Sequence, residues 1–309
     1  MGFRKIWPVV RPSTRAFWRE ARRTPHFTLV DMLHGYVYGR WPYLYISLGI
    51  GERPWPSRLR NLATAGTKMW RAVFPAPSQA QGTFADGYHG KVLPLEKARQ
   101  LVTVREEIQR GDLERVIPYP MARDLILKNP DHIAVIQCPC RAARLNPCTP
   151  LDVCLIVGEP FASFVVEHNP QRARWIDAVE AQSILEAEER RGHVHHAFFK
   201  DAMLGRFYAI CNCCPCCCGA IQSHRNGIPM LAPSGYRAEV TDAVCIACGA
   251  CESACPFGAI TVVEQATIQA QSCMGCGVCA QACPQEAIQL VLDPSRGIPL
   301  EIIDLATRI

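Results

Sequence analysis

The 309-residue chain lacks an apolar run long enough to cross a bilayer. From Met32 to Ile50 it is fairly apolar, but His34, Arg40, Pro42 and three glycines interrupt it, and the clean run after Pro42 is eight residues. A spanning helix needs about 20 such residues, so spanning is not expected. The stretch Met1 to Val10 has a basic start with no long apolar run behind it, so no secretory signal is recognised. No Walker loop or nucleophile elbow occurs, and Gly49-Ile50-Gly51 lacks the third glycine of a dinucleotide site, which argues against a flavin or nicotinamide fold. Acidic residues are scarce at the front: residues 1 to 75 hold 13 Lys+Arg and 3 Asp+Glu, net +10, leaving 20 against 25, net −5, for the remaining 234.

Cysteine, in contrast, is abundant: there are 18. Two copies of one pattern lie 28 residues apart, Cys245-x2-Cys248-x2-Cys251-x3-Cys255-Pro256 and Cys273-x2-Cys276-x2-Cys279-x3-Cys283-Pro284. The copies also pair Gly249 with Gly277, Ala254 with Ala282 and Ala259 with Ala287, as an internal duplication does. C-x2-C-x2-C curls the chain so that three sulfurs face three corners of one [4Fe–4S] cube. The fourth cysteine lies too far along to close that cube and reaches the other one. The spacing thus groups Cys245, Cys248, Cys251 and Cys283 on one cluster, and Cys273, Cys276, Cys279 and Cys255 on a second. Zinc motifs pair C-x2-C units and do not use a three-cysteine run followed by a crossed fourth ligand and proline. A secreted disulfide framework fits poorly with adjacent cysteines such as Cys213-Cys214, so a reducing cytoplasmic compartment is expected.

Residues 236 to 293 resemble the bacterial-type two-cluster ferredoxins. The resemblance implies a compact pseudo-twofold β–α–β repeat whose cubanes lie close enough to exchange electrons.

Ten cysteines lie outside this motif, as Cys138-x-Cys140-x7-Cys148-x5-Cys154 and the run Cys211-Asn212-Cys213-Cys214-Pro215-Cys216-Cys217-Cys218. Successive side chains of extended backbone point to opposite sides, so six cysteines in eight residues cannot converge on one four-ligand site. The simplest geometry folds the second run against the first. The two then share ligands for at least one additional cluster, with Cys138, Cys140, Cys148, Cys211, Cys213, Cys214, Cys216, Cys217 and Cys218 as candidates. Cys154 reads as the weakest candidate, since a buried cysteine is often a small hydrophobe. A zinc site on Cys138, Cys140 and two later cysteines competes with this reading, as do redox-active dithiols. Cys-Pro-Cys-Arg, a later helix ending at Gly192-His193-Val194-His195, and the cysteine run joined to a two-cluster ferredoxin are similar to a group of poorly characterised 4Fe–4S ferredoxin-domain proteins. This resemblance covers residues 118 to 290 and supports a redox role.

The expected class is α+β. A basic aromatic segment, residues 1–74, precedes a linker, 75–90, a cysteine-rich α/β domain, 91–235, and the two-cluster ferredoxin domain with its tail, 236–309. Periodicity predicts helices over Leu95 to Gln109, Tyr119 to Leu127 and Arg172 to Arg191, the last ended by Gly192. Strands are expected at His132 to Gln137, Val153 to Val157 and Phe207 to Ile210. His193, His195 and His196 are candidate metal ligands, although histidines after a helix are commonly favoured by its dipole. The N-terminal segment holds five of the six tryptophans, and basic residues mixed with Trp and Tyr suit a partner's acidic surface or a membrane headgroup region at its inner face. No nucleic-acid module is visible.

These features predict an electron-transfer subunit that relays single electrons through two [4Fe–4S] clusters to or from a partner enzyme or membrane complex. The alternative is an oxidoreductase in which an incompletely ligated cluster in residues 138–218 does chemistry while the ferredoxin region delivers electrons.

Overall fold

Three helices open the chain in the computed structural model, which describes residues 10–25, 27–50, 52, 87–110, 116 and 125–301. They are α1 (Pro12–Arg23), α2 (Leu29–Arg40) and α3 (Pro42–Ile50). Pro12 opens α1, where its missing N–H costs nothing. Thr28 and Asp31 cap α2 reciprocally: the Asp31 N–H donates to Thr28 Oγ1 at 3.2 Å, and the Thr28 N–H donates to Asp31 Oδ2 at 2.9 Å. Among the described residues, no helix is long and apolar enough to cross a membrane.

The helices are not the separate unit that their charge suggests. Phe17 and Tyr38 are buried in one core with Phe161 and Phe164, the Phe17 and Phe164 rings lie 5.5 Å apart, and Tyr38 Oη meets Tyr208 Oη at 2.8 Å. The basic residues Arg19, Arg22 and Arg23 stay exposed, so α1 is an ordinary amphipathic helix whose polar face carries most of the charge.

Next comes a sheet in the order β2-β3-β4-β7-β6-β1-β8, with β5 also on β3. Its strands are β1 (Tyr88–Leu93), β2 (Ile108–Arg110), β3 (Leu125–Gln137), β4 (Asp152–Glu159), β5 (Ala173–Ile176), β6 (Val194–Lys200), β7 (Arg206–Cys213) and β8 (Leu231–Ala232). Among the described residues only β1–β8 is parallel, so this region is α+β and not the α/β domain expected. Between the strands lie α4 (Leu95–Thr103), α5 (Pro139–Ala142), α6 (Phe161–His168), α7 (Ala178–Arg190) and α8 (Gly219–Arg225).

Alternation along the strands separates two cores. Ala134, Ile136, Ile156, Val194 and Phe198 face α1, α2 and α6, while Ile133, Val135, Leu155, Ala197 and Phe199 join Leu101 of α4 and Leu185 of α7. Most of the extra cysteines belong to the first face.

Several expected elements need correction. The helix from Leu95 stops at Thr103, because Val104 turns extended and Ile108 pairs with Leu127 in the sheet. Leu125 to Leu127 are strand, not the end of a helix, and residues 119–124 lie outside the described residues. The helix expected from Arg172 begins at Ala178: Ala173–Ile176 pairs with β3, and the Asp177 side chain then caps α7 by accepting the Glu180 N–H at 2.8 Å. Gly192, with φ +73°, follows that helix. β1 begins at Tyr88, inside the expected linker, and residues 75–86 lie outside the described ones. The strand foreseen at Phe207 to Ile210 continues through Cys213.

The C-terminal region contains β9 (Tyr236–Val240), α9 (Ala250–Ala254), β10 (Ile260–Val262), β11 (Ala266–Ile268), α10 (Val278–Gln281) and β12 (Ile288–Leu292). β9 pairs antiparallel with β12, and β10 with β11. Met274, Cys276 and Val278 enter the first-face core, while Arg225 Nε donates to Pro256 O at 2.9 Å and the Ser234 N–H to Met274 O at 3.0 Å.

Candidate metal centres

The 18 cysteines gather in four places. In the C-terminal region, Cys245, Cys248, Cys251 and Cys283 line one small cavity, and Cys255, Cys273, Cys276 and Cys279 line another. Each cavity thus takes three cysteines from one copy of the motif and the last from the other copy.

The backbone around them repeats. Left-handed residues occur at Ala247 and Gly275 (φ +52° and +63°), at Gly249 and Gly277 (+77° and +90°), and at Gly258 and Glu286 (+63° and +51°), each pair 28 apart. Gly249 and Gly277 open α9 and α10. Gly275 is required twice over, since a Cβ there would stand 2.1 Å from Tyr236 O. Backbone N–H groups turn toward sulfur: Ala259 donates to Cys255 Sγ and Ala287 to Cys283 Sγ, both at 3.3 Å. Burial pushes the Cys279 thiol up to about 12 and raises Cys276 and Cys251, so these sulfurs ionise readily only beside bound positive charge such as a metal supplies. The cavities differ in access: Cys248 is exposed beside Ile246, which is 60% exposed, whereas Cys273, Cys276 and Cys279 are all buried.

A third group surrounds a cavity on the first face of the sheet. Cys138 precedes α5, Cys140 lies in it, Cys154 is on β4, Cys211 and Cys213 are on β7, and Cys218 caps α8; all six line the cavity, which Cys214 also borders. Tyr38, Pro42 and Ile46 of α2 and α3 line it too. Cys154 therefore stands with the candidates instead of apart from them. Its signal was its place in the strand expected at Val153 to Val157, where it alternates with Leu155 and shares a face with Ile156.

Asn212 explains how Cys211 and Cys213 come to share a face. It points to the opposite side, where Oδ1 meets His195 Nδ1 at 2.6 Å and Nδ2 donates to Val153 O at 2.6 Å. Glu189 takes the other His195 nitrogen at 3.0 Å, and His193 Nδ1 meets Glu188 at 2.6 Å. His196 is fully buried on β6, where burial pushes its pKa down to about 3. These histidines serve strand β6 and its neighbours, and none joins a group of converging metal ligands among the described residues.

Charge in the third group is managed by Arg141, the arginine of Cys-Pro-Cys-Arg, to which sequence reasoning gave no role. Its side chain is 1% exposed, and it donates to Glu188 Oε2 at 2.5 Å, to Asn212 O at 3.1 Å and to Pro150 O at 2.5 Å. Hydrogen bonds from the Cys140 and Cys154 thiols, aided by Arg141, hold Cys138 well below the usual thiol value. Cys218 is lowered by Cys213 and by the Ile221 and Ala220 N–H groups of α8, against the effect of burial. Cys140 and Cys154 are raised, chiefly by those bonds to Cys138, so the cavity holds thiols of both characters.

The fourth group is Cys148, Cys214, Cys216 and Cys217, whose sulfurs all lie within 4.8 Å of one another. The dense run thus splits, Cys211, Cys213 and Cys218 to one side and Cys214, Cys216 and Cys217 to the other.

No curated protein matches the chain. Residues 244–287 match the family model of the 4Fe-4S dicluster domain. With the paired cysteine cavities over the same residues, that match establishes a 4Fe–4S ferredoxin-type domain near the C-terminus, a domain that binds iron–sulfur cofactors.

Proposed function

We propose that the chain is an iron–sulfur electron carrier with two cubanes in its C-terminal domain and a further redox centre in the cavity of Cys138, Cys140, Cys154, Cys211, Cys213 and Cys218. The outer cubane takes Cys245, Cys248, Cys251 and Cys283, and the inner one Cys273, Cys276, Cys279 and Cys255, across a pseudo-twofold β–α–β repeat. The 28-residue recurrence of left-handed positions and the crossed lining of the two cavities support this grouping.

One observation carries the relay. Met274, Cys276 and Val278, beside the inner cubane, are buried in the same core cluster as Cys138, Cys154, Cys213 and Cys218. The inner cubane therefore stands between an outer one near solvent and the six-cysteine cavity. Four of those six thiolates suffice for a third cubane. Electrons enter or leave at the exposed outer cluster and pass inward, and the protein tunes each potential by burial and N–H bonds to sulfur.

Beyond the inner cavity lie α2 and α3, whose residues Leu29, Leu33, Trp41, Leu44 and Leu48 are exposed apolar groups. We read this face as the contact for a redox partner or for a membrane surface, and the compartment as cytoplasmic. The test of the carrier reading is anaerobic purification followed by iron and acid-labile sulfide assay. About twelve of each per chain are expected, about eight would remove the third cluster, and absence of both would end the proposal.

The enzyme reading is favoured by the surplus of thiols and by Tyr38 and Tyr208, whose hydroxyls meet at 2.8 Å and which both line the six-cysteine cavity. EPR with cyanide or a small thiol added would show a ligand-exchangeable iron under that reading and no change under the carrier reading.

A further inference from the structure

We propose that Cys148, Cys214, Cys216 and Cys217 form a separate site for one mononuclear metal ion, zinc or iron, held by four thiolates. The argument is one of distance. A tetrahedral ion with metal–sulfur bonds of about 2.3 Å places its four sulfurs about 3.8 Å apart. Here all four lie within 4.8 Å of one another, with Cys148 and Cys216 at 2.8 Å and Cys216 and Cys217 at 3.7 Å. A cubane spreads its thiolates over four different irons, so their sulfurs stand farther apart. The molecule carries its own calibration: among the described residues this is the only such tight group, although the eight ferredoxin cysteines and the six inner ones are all described. Those fourteen sit around cavities, whereas these four converge on a point, Cys214 bordering the inner cavity as well.

The surroundings suit an anionic tetrathiolate centre. The Cys148 N–H donates to Cys217 Sγ at 3.5 Å, and Arg144 fixes the run by donating from Nε and Nη2 to Cys217 O at 3.2 and 3.0 Å. The site can load from solvent, because Cys216 is exposed while Cys214 and Cys217 are buried. Four protein ligands leave no open position, the mark of a structural ion. Its work is to pin the Cys211–Cys218 run to the loop after α5, so that Cys211, Cys213 and Cys218 keep to the other side.

The test uses full-length protein purified anaerobically, with zinc, iron and acid-labile sulfide measured on wild type, Cys216→Ala and Cys216→His. Histidine can replace one thiolate in a tetrahedral site, so it should retain the ion, while alanine should lose about one metal atom per chain with sulfide unchanged. Metal analysis tells zinc from iron. Because Cys216 is exposed, the alanine variant should fold, and an unaltered EPR signal of the reduced clusters checks this. Loss of iron and sulfide together would mean that the four cysteines hold a cluster, and an unchanged metal content, or a Cys148–Cys216 disulfide in metal-free wild type, would mean that they hold no ion; any of these overturns the proposal.

Discussion

At Arg141 and Glu188 a charge pair sits where water does not reach, with both side chains 1% exposed. Such pairs are dangerous to break, because the survivor keeps its charge and loses its partner. Arg141→Met should therefore cost about 3–5 kcal/mol and lower the anaerobic unfolding temperature by about 10 °C. The pH dependence has a definite sign. Burial would raise the Glu188 carboxyl, but hydrogen bonds with His193 and Arg141 outweigh it and hold the group below its usual range. A lowered folded value stabilises the protein above the ordinary carboxylate pKa, and that stability is lost as pH falls through the lowered value. The stability gap between wild type and Glu188→Gln, measured by denaturation at several pH values, should be widest near neutrality and close on acidification.

At the scale of elements, α1 is a lid on the first-face core. Phe17 is 1% exposed and packs on both Phe161 and Phe164, so Phe17→Ala should cost about 3–5 kcal/mol. Because α2 follows α1 and lines the six-cysteine cavity, the same variant should react faster with an iron chelator, followed by loss of visible absorbance. Legibility in the sequence divides along the same line between local and distant causes. The C-x2-C-x2-C spacing is a property of seven consecutive residues, so the candidate ligands of the C-terminal domain could be named without a fold. The partition of the dense cysteine run could not, since it depends on β4 pairing with β7 and on where Cys148 lands. Only the alternation of Cys211, Asn212 and Cys213 was visible beforehand. Strand β6 hid behind Gly192 for a similar reason: its histidines look like a helix tail until β1 and β7 arrive on either side. The basic front of the chain misled because charge reports the exposed face of an amphipathic helix and is silent about Phe17 on the other.

For the whole molecule, the proposed relay would run from the accessible cysteine cavity through the buried one to the third, which Tyr38, Pro42 and Ile46 of α2 and α3 help to line. Under that proposal the outer surface of those helices is the face that meets a partner. Truncating residues 1–74 would strip part of the core, so the docking proposal is better tested on exposed residues. Leu44→Asp with Leu48→Asp should leave iron and sulfide content unchanged while abolishing co-sedimentation with membranes or co-purification of a redox partner. Undiminished association would place the contact elsewhere.

The crossed lining of the two C-terminal cavities bears on how the protein matures. The first three cysteines leave the ribosome as a set, but the wall that Cys283 supplies emerges only after the second copy of the motif has been made. The inner set is complete once Cys279 has been made, whereas the outer set waits for Cys283, so a chain cut short between those two residues would carry every cysteine of the inner cavity and leave the outer one a wall short.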